Sequence, residues 1–270
     1  MKKILIAISF DERFPYPQYF EGQLQTWIQE ISPHTKVIRY RSKIAPKIIQ
    51  FLDRTHEKLR YSNRWGRVIS AFNYLVSPYV SRNIPRYRYD GEQEILNVDT
   101  WSTVRLFGRR NLALFSWFYR ETDFDFLFAI NTSTYVSPRL LLEFVKKLDP
   151  RDNLYVGSIQ KYDELGGVYI SGAGKLLARS TVSKILDRSD EYPMDNLEDI
   201  SLGLFLKTLG ASFVNEPFLQ LESRGSVEGF DLDVLSHFFY FRCKSDKGVE
   251  NDLEVMRTLH DKLCRKSLGG

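Results

Sequence analysis

The most strand-like run of the chain, Phe124–Ile130, ends abruptly in Asn131-Thr132-Ser133-Thr134. In α/β sheets ligands bind just beyond the carboxyl ends of strands, where loops expose backbone groups and short polar side chains. Asn131, Thr132 and Ser133 are therefore candidates for ligand contact, and a polar turn that only closes a strand is the plain alternative. Further on, Gly166-Gly167-Val168-Tyr169-Ile170-Ser171-Gly172-Ala173-Gly174 holds four glycines in nine residues. Gly172 and Gly174 could admit a ligand close to the backbone. The spacing is not that of a phosphate loop, because Lys175 follows Gly174 with no Ser or Thr beside it, and a tight hairpin explains it equally well. A third stretch, Asn196-Leu197-Glu198-Asp199-Ile200-Ser201-Leu202-Gly203, opens a helical pattern with two adjacent carboxylates. First-turn acids complement the helix dipole. Their chemical use would be as a general base on a substrate hydroxyl. His237 lies among aromatics in Leu235–Tyr240, where a satisfied core histidine is the ordinary reading.

These groups need elements to hold them. Ile4–Ser9 reads as a buried strand, Gly22–Ile31 as helical, Lys36–Tyr40 as a second strand and Glu94–Val98 as a short one. Within the basic segment, Ile48–Leu59 suggests a helix and Val68–Val76 an apolar patch stopped before Pro78. The spacing predicts helices over Trp101–Tyr119, Pro138–Lys147, Lys175–Leu186, Leu197–Leu209 and Leu253–Leu263. Strands are predicted at Leu154–Ile159, Val168–Ser171, Phe213–Val214 and Phe218–Leu221, with an apolar run at Val234–Phe241. Strands alternating with helices indicate an α/β fold.

In their order these elements resemble the inverting GT-A glycosyltransferases of the Fringe and β-1,3-galactosyl- and N-acetylglucosaminyltransferase group, from about residue 92 to 245. That group shows a basic residue and a Trp in a helix before a strand that ends in an Asp-rich triplet. A Ser-Gly-x-Gly loop, a Glu/Asp-Asp-Val-x-x-Gly helix and a late-strand His follow. The matching stretches here are Arg110 with Trp117, FLFAINTSTYV, SGAGKLLARS, EDISLGLFLKTLG and His237. The resemblance implies a GT-A-type fold, a Rossmann-like mixed central sheet flanked by helices. It implies one domain over 1–270, with 36–90 as a basic, aromatic-rich helical insertion or docking segment. The implied activity is inverting hexosyl transfer from a nucleotide-sugar donor, UDP-activated in that group, to a hydroxyl of a glycan or lipid-linked glycan. Asp199 takes the base role, with Glu198 as neighbour or fallback. Nucleotide-sugar contacts fall to Asn131, Thr132, Ser133, Arg110, Gly172, Gly174, His237, Arg242 and Lys244.

In the group an Asp-x-Asp motif holds a divalent metal, Mn or Mg, on the donor diphosphate. Here Asn131, Thr132 and Ser133 stand in its place, which leaves Ser133 and His237 as the candidate metal ligands. Asp123-Phe124-Asp125 lies at the start of the strand, the wrong end for the ligand. These metals favour carboxylate oxygens, so metal-dependent and metal-independent transfer both stay open. In the second case Arg110, Arg242 and Lys244 would neutralise the leaving diphosphate, with His237 donating a hydrogen bond. The altered triplet also motivates a non-enzymatic alternative, a degenerate transferase that binds a glycan or partner without turnover. The retained carboxylate pair argues against it.

The 38 Lys and Arg against 34 Asp and Glu give a formal +4, but residues 36–88 hold 13 of the cations and only Asp53 and Glu57. That local +11 leaves −7 elsewhere. Aromatics interleave the segment (Tyr61, Trp65, Tyr74, Tyr87, Tyr89), yet no nucleic-acid module accompanies them, and no nucleic-acid partner is expected. Basic residues flanking Val68–Val76 could instead seat the protein on an anionic membrane surface; a solvated hairpin packed on the core is the alternative. An apolar content of 43% excludes an intrinsically disordered chain. Nothing approaches the roughly 18 uninterrupted apolar residues of a membrane span. Cys243 and Cys264 are too few for a disulfide or zinc framework and fit reduced thiols. With a chain that opens directly on a strand, the expected setting is cytoplasmic, peripheral at the inner face of the membrane, in bacterial or viral surface-glycan synthesis.

Overall fold

A computed structural model describes residues 2–47, 84–102, 106–162, 167–193 and 197–264. The described strands are β1 (Ile4–Ser9), β2 (Thr35–Lys43), β3 (Tyr87–Asp90), β4 (Ile95–Trp101), β5 (Phe126–Asn131), β6 (Thr134–Val136) and β7 (Leu154–Gly157). They continue with β8 (Ile159–Tyr162), β9 (Gly167–Ile170), β10 (Gly174–Ala178), β11 (Ser212–Asn215), β12 (Leu219–Leu221) and β13 (Tyr240–Cys243). Eight of them form a mixed sheet in the order β11-β7-β10-β5-β1-β2-β4-β3. β1 is parallel to both β2 and β5, whereas β10 runs antiparallel to β5 and β7. β12, β13 and β6 make a small second sheet, and β8 and β9 a hairpin.

Side chains alternate across a strand, and here the alternation fills both faces. Ile4, Ile6 and Ile8, with Phe126, Phe128, Ile130 and Leu176, pack towards Trp27, Leu141, Val255 and Leu259. Leu5, Ala7, Leu127 and Leu177 face Leu112, Phe115, Val182 and Leu206 on the other side. Continuous apolar runs are what strands covered on both faces require.

The α/β expectation, a mixed central sheet flanked by helices, holds. Particular elements differ. Gly22–Ile31 is split: the helix is Tyr16–Leu24, and a 3-10 turn follows at Trp27–Glu30. Trp101 closes β4, and the next helix runs Phe107–Glu121. Lys175 opens no helix: Gly174–Ala178 is β10, and the helix begins at Arg179. The described ends of the 36–90 segment are not a helical insertion either, since β2 lies inside the main sheet and β3 at its edge. Three of their cations are ion-paired there: Lys36 with Glu94, Arg41 with Glu12 and Lys43 with Asp99. Arg39 stacks on Phe10 and Phe20. The helix expected at Ile48–Leu59 and the patch Val68–Val76 lie outside the described residues. No described helix is long and apolar enough to cross a membrane, and both cysteines are free thiols.

Candidate active site

The residues at the carboxyl edge of the sheet follow from the same alternation. Leu5 and Ala7 bury one face of β1, and the next residue on that face is Ser9. Leu127 and Ala129 lead likewise to Asn131, and Ile38 leads to Tyr40. Register puts Ser9 beside both Tyr40 and Asn131. Because β10 is antiparallel, its first residues reach this edge, with Lys175 opposite Ala129. A cleft opens here with two lobes that share Ser9, Phe107, Arg110 and Asn131.

The first lobe, about 310 Å³, is walled by Lys175, Gly172, Glu198 and Asp199. Lys175 is buried, and its Nζ lies 2.5 Å from Glu198 Oε2 and 2.6 Å from Asp199 Oδ1. Asn111 Nδ2 donates to the other Glu198 oxygen. Burial is the largest influence on Glu198 and, with the adjacent Asp199 charge, lifts its carboxyl to about 8 against the pull of Lys175. Burial would raise Asp199 too, but the Lys175 ammonium, a hydrogen bond with Glu198 and the backbone N–H of Gly172 outweigh it and hold it low. Burial disfavours the Lys175 ammonium, and the two carboxylates more than reverse this. The two carboxyls are thus pulled apart: Glu198 is the readier to hold a proton, and Asp199 is the one kept ionised beside the charged Lys175. Asp199 is the member that faces the cleft, with 30% of its side chain exposed against 11% for Glu198. The Glu198–Thr208 helix can approach this closely because of Gly203, where a Cβ would sit 2.7 Å from Val168 O and 2.8 Å from Tyr169 Cα.

The second lobe, about 360 Å³, is lined by Asn131, Thr132, Ser133, Arg242, Lys244, Asp11 and Arg13. Arg110 stands between the lobes, 5% exposed. Its Nη2 donates to Ser9 Oγ at 2.7 Å, its guanidinium lies 4.8 and 4.5 Å from the Tyr40 and Phe107 ring centres, and its Nε has no partner. Among the described residues no carboxylate pairs with Arg110, Arg242 or Lys244, whereas Arg13 is committed to Asp11 through Nε at 2.8 Å. Burial works against the Asp11 charge, but Arg13 and Ser102 prevail and hold its carboxyl down at about 2. The lobe is consequently cationic. Asp252 steadies its rim, accepting from Tyr19 Oη at 2.5 Å and from Ser245 Oγ at 2.7 Å next to Lys244.

These contacts also test the divalent metal. Asp11 is taken by Arg13, and Glu198 and Asp199 are taken by Lys175, leaving Asn131, Thr132 and Ser133 as neutral donors. That donor set does not fit Mg or Mn, which favour carboxylate oxygens. Among the described residues, the grouped His, Cys, Asp and Glu side chains able to share an ion are Glu30, His260 and Cys264, outside the cleft.

The structure thus brings together Asn131, Thr132, Ser133, Arg110, Gly172, Glu198, Asp199, Arg242 and Lys244. It does not bring in His237, which is exposed in a turn before β13, its Nδ1 2.7 Å from Asp233 O, and lines neither lobe. Ser133 lines the second lobe without it, so the structure does not join the two as metal ligands. Gly174 makes room for the core: a Cβ would lie 2.7 Å from the Tyr240 ring and 2.9 Å from Phe128. At Gly172 a Cβ would lie 2.8 Å from Asp199 Oδ2, so that glycine belongs to the cleft. Sequence reasoning passed over Lys175, Asn111, Ser9 and Asp11. Period-two alternation running off β1 would have indicated Ser9; nothing local marks the other three.

No protein-family model matches the chain, and no curated protein matches it. Among solved structures it is similar to the galactosyltransferase LgtC in complex with donor and acceptor sugar analogues, at 13% identity over 95% of this chain and 96% of that one, with a TM-score of 0.45. It is also similar to the apo-form glycosyltransferase GlyE of Streptococcus pneumoniae TIGR4, at 13% identity over 99% of this chain and a TM-score of 0.43. This chain spans 64% of the GlyE chain. Likeness at this level carries no assignment of activity.

Proposed function

We propose that the chain is an inverting glycosyltransferase of the GT-A type, moving a sugar from a nucleotide-sugar donor to a hydroxyl of a glycan acceptor. The observation that carries this reading is the division of the cleft. One lobe presents cations without carboxylate partners, and the other an ionised carboxylate held beside a lysine. Arg110, Arg242 and Lys244 take the donor diphosphate. The acceptor hydroxyl stands at Asp199. As its oxygen bonds to the anomeric carbon, the bond from that carbon to the diphosphate oxygen breaks and its electron pair leaves with the diphosphate. Asp199 receives the hydroxyl proton. Fixed cations neutralise the leaving group in the way a metal would, without reorganising. Lys175 and Glu198 keep Asp199 oriented and charged.

The test is transfer or donor hydrolysis across a panel of nucleotide sugars, with binding measured in parallel. Asp199→Asn should retain donor binding and lose at least ~10²-fold in turnover. Arg110→Met should weaken nucleoside diphosphate binding. Excess EDTA should leave activity unchanged. Near-full activity in Asp199→Asn refutes the base assignment, and retention of anomeric configuration in the product refutes inversion. Donor binding with no turnover in the parent chain marks a binding module instead.

A further inference from the structure

The helix Val249–Cys264 places His260 and Cys264 one turn apart on the same face. That face meets Glu30, the last residue of the 3-10 turn Trp27–Glu30. Cys264 Sγ donates to Glu30 Oε1 at 2.7 Å and lies 3.5 Å from His260 Nδ1 and 3.9 Å from Nε2. One ligand atom from each of the three residues falls within 4.8 Å of the other two. Behind them, the Oη of the buried Tyr135 lies 3.2 Å from His260 Nδ1. The cluster sits with Trp27, Tyr135 and Leu259 on the sheet face opposite Lys175, apart from the cleft.

We propose that Glu30, His260 and Cys264 bind one zinc ion through a carboxylate oxygen, Nε2 and Sγ, with water in the fourth position. Tetrahedral zinc holds such donors at about 2.0–2.3 Å, which sets neighbouring donors roughly 3.3–3.7 Å apart. The Sγ–Oε1 and Sγ–Nε2 separations, 2.7 and 3.9 Å, lie on either side of that range, and all three donors fall within 4.8 Å of one another. Sulfur and imidazole nitrogen select zinc over magnesium or calcium, which take oxygen donors. Tyr135 Oη is within hydrogen-bond reach of Nδ1; with the ion on Nε2 the proton sits on Nδ1 and Tyr135 Oη accepts it, the supporting contact that ligating histidines characteristically have. On binding, the thiol proton shared with Glu30 passes to solvent and the sulfur coordinates as thiolate. No bond is oxidised or reduced. The ion would fasten the end of the last described helix to a turn more than 230 residues earlier in the chain.

Full-length protein stripped with EDTA and titrated with Zn²⁺ should take up one equivalent and melt at a higher temperature. Co²⁺ in its place should give a thiolate charge-transfer band and tetrahedral d–d bands. Cys264→Ser should abolish the charge-transfer band, and both it and His260→Ala should weaken Zn²⁺ binding at least ~100-fold. Tyr135→Phe, which removes only the hydroxyl, should weaken it about 10–100-fold. Circular dichroism of each variant separates loss of the site from loss of the fold. Substoichiometric uptake by the parent, or a Co²⁺ spectrum unchanged in folded Cys264→Ser, overturns the proposal.

Discussion

Lys175→Met keeps most of the side-chain volume and removes the ammonium, leaving Glu198 and Asp199 to face each other in a buried pocket. The parent lysine is 6% exposed, with contacts of 2.5 and 2.6 Å to the two carboxylates. Breaking a buried ion group by deleting one partner costs about 3–5 kcal/mol, because the remaining charge stays desolvated and uncompensated. The variant has one partial escape, which is to take up a proton. Glu198 already carries one below about 8. Asp199, freed of the lysine that holds it low, rises above its ordinary value and joins it. A carboxyl whose folded value is raised binds a proton that the unfolded chain has released, so stability falls as pH climbs between the two values. The deficit of Lys175→Met relative to the parent should therefore be small near pH 5 and approach about 3–5 kcal/mol by pH 8.5. Urea denaturation of both proteins across that range measures it. A deficit below about 1 kcal/mol at pH 8.5, or one independent of pH, would refute the picture of a lysine neutralising a buried carboxylate pair.

Asp11→Asn removes a carboxyl held near 2 rather than 3.8 by Arg13 and Ser102. Such a depressed carboxyl stabilises the fold above its ordinary value and loses that contribution as pH falls towards 2. The variant should be less stable by about 2 kcal/mol at pH 7, with the gap closing on acidification as followed by denaturation midpoints. Gly174→Ala forces a methyl into the Tyr240 and Phe128 rings and should cost about 1–3 kcal/mol of stability in urea. Gly172→Ala presses on the Asp199 carboxylate instead, so turnover should fall more than stability does. The opposite pattern in these two variants would show that their roles are reversed.

β1 and β5 were legible as continuous apolar runs because strands sandwiched between helix layers need no polar face. The carboxylate pair at Glu198 and Asp199 was legible because helix starts mark themselves with acids. Lys175 was not. In Lys175–Leu186 the apolar spacing suits a helix, and the five residues of β10 are buried throughout, so they show no alternation to betray a strand. Its direction, and with it the placement of Lys175 at the ligand edge, is decided only by pairing with β5 and β7. Trp101 fits the helical spacing of Trp101–Tyr119, yet it is the last residue of β4, and the helix starting at Phe107 has no side-chain cap to mark its beginning. His237 sat near an apolar run that resembles a late strand, but the strand starts at Tyr240, and the histidine stays outside in the turn. The split of charge into +11 and −7 was visible at once; that Lys36, Arg41 and Lys43 spend theirs on Glu94, Glu12 and Asp99 required the fold.

The reversal of strand direction between β5 and β10 has a consequence for how such a cleft can change. It is a seam: Ser9, Arg110 and Asn131 come from chain before it, Gly172, Lys175, Asp199, Arg242 and Lys244 from chain after it, and Asn111 reaches across it to Glu198. The two sides meet through backbone hydrogen bonds along β5 and β10, which are indifferent to side-chain identity. A substitution along those two strands needs no matching one on its neighbour, whereas one at Asn111 or Glu198 is felt across the seam. The diphosphate grip is itself divided by the seam, with Arg110 on one side and Arg242 and Lys244 on the other, so it closes only when both halves of the chain are docked, as a vice needs both jaws.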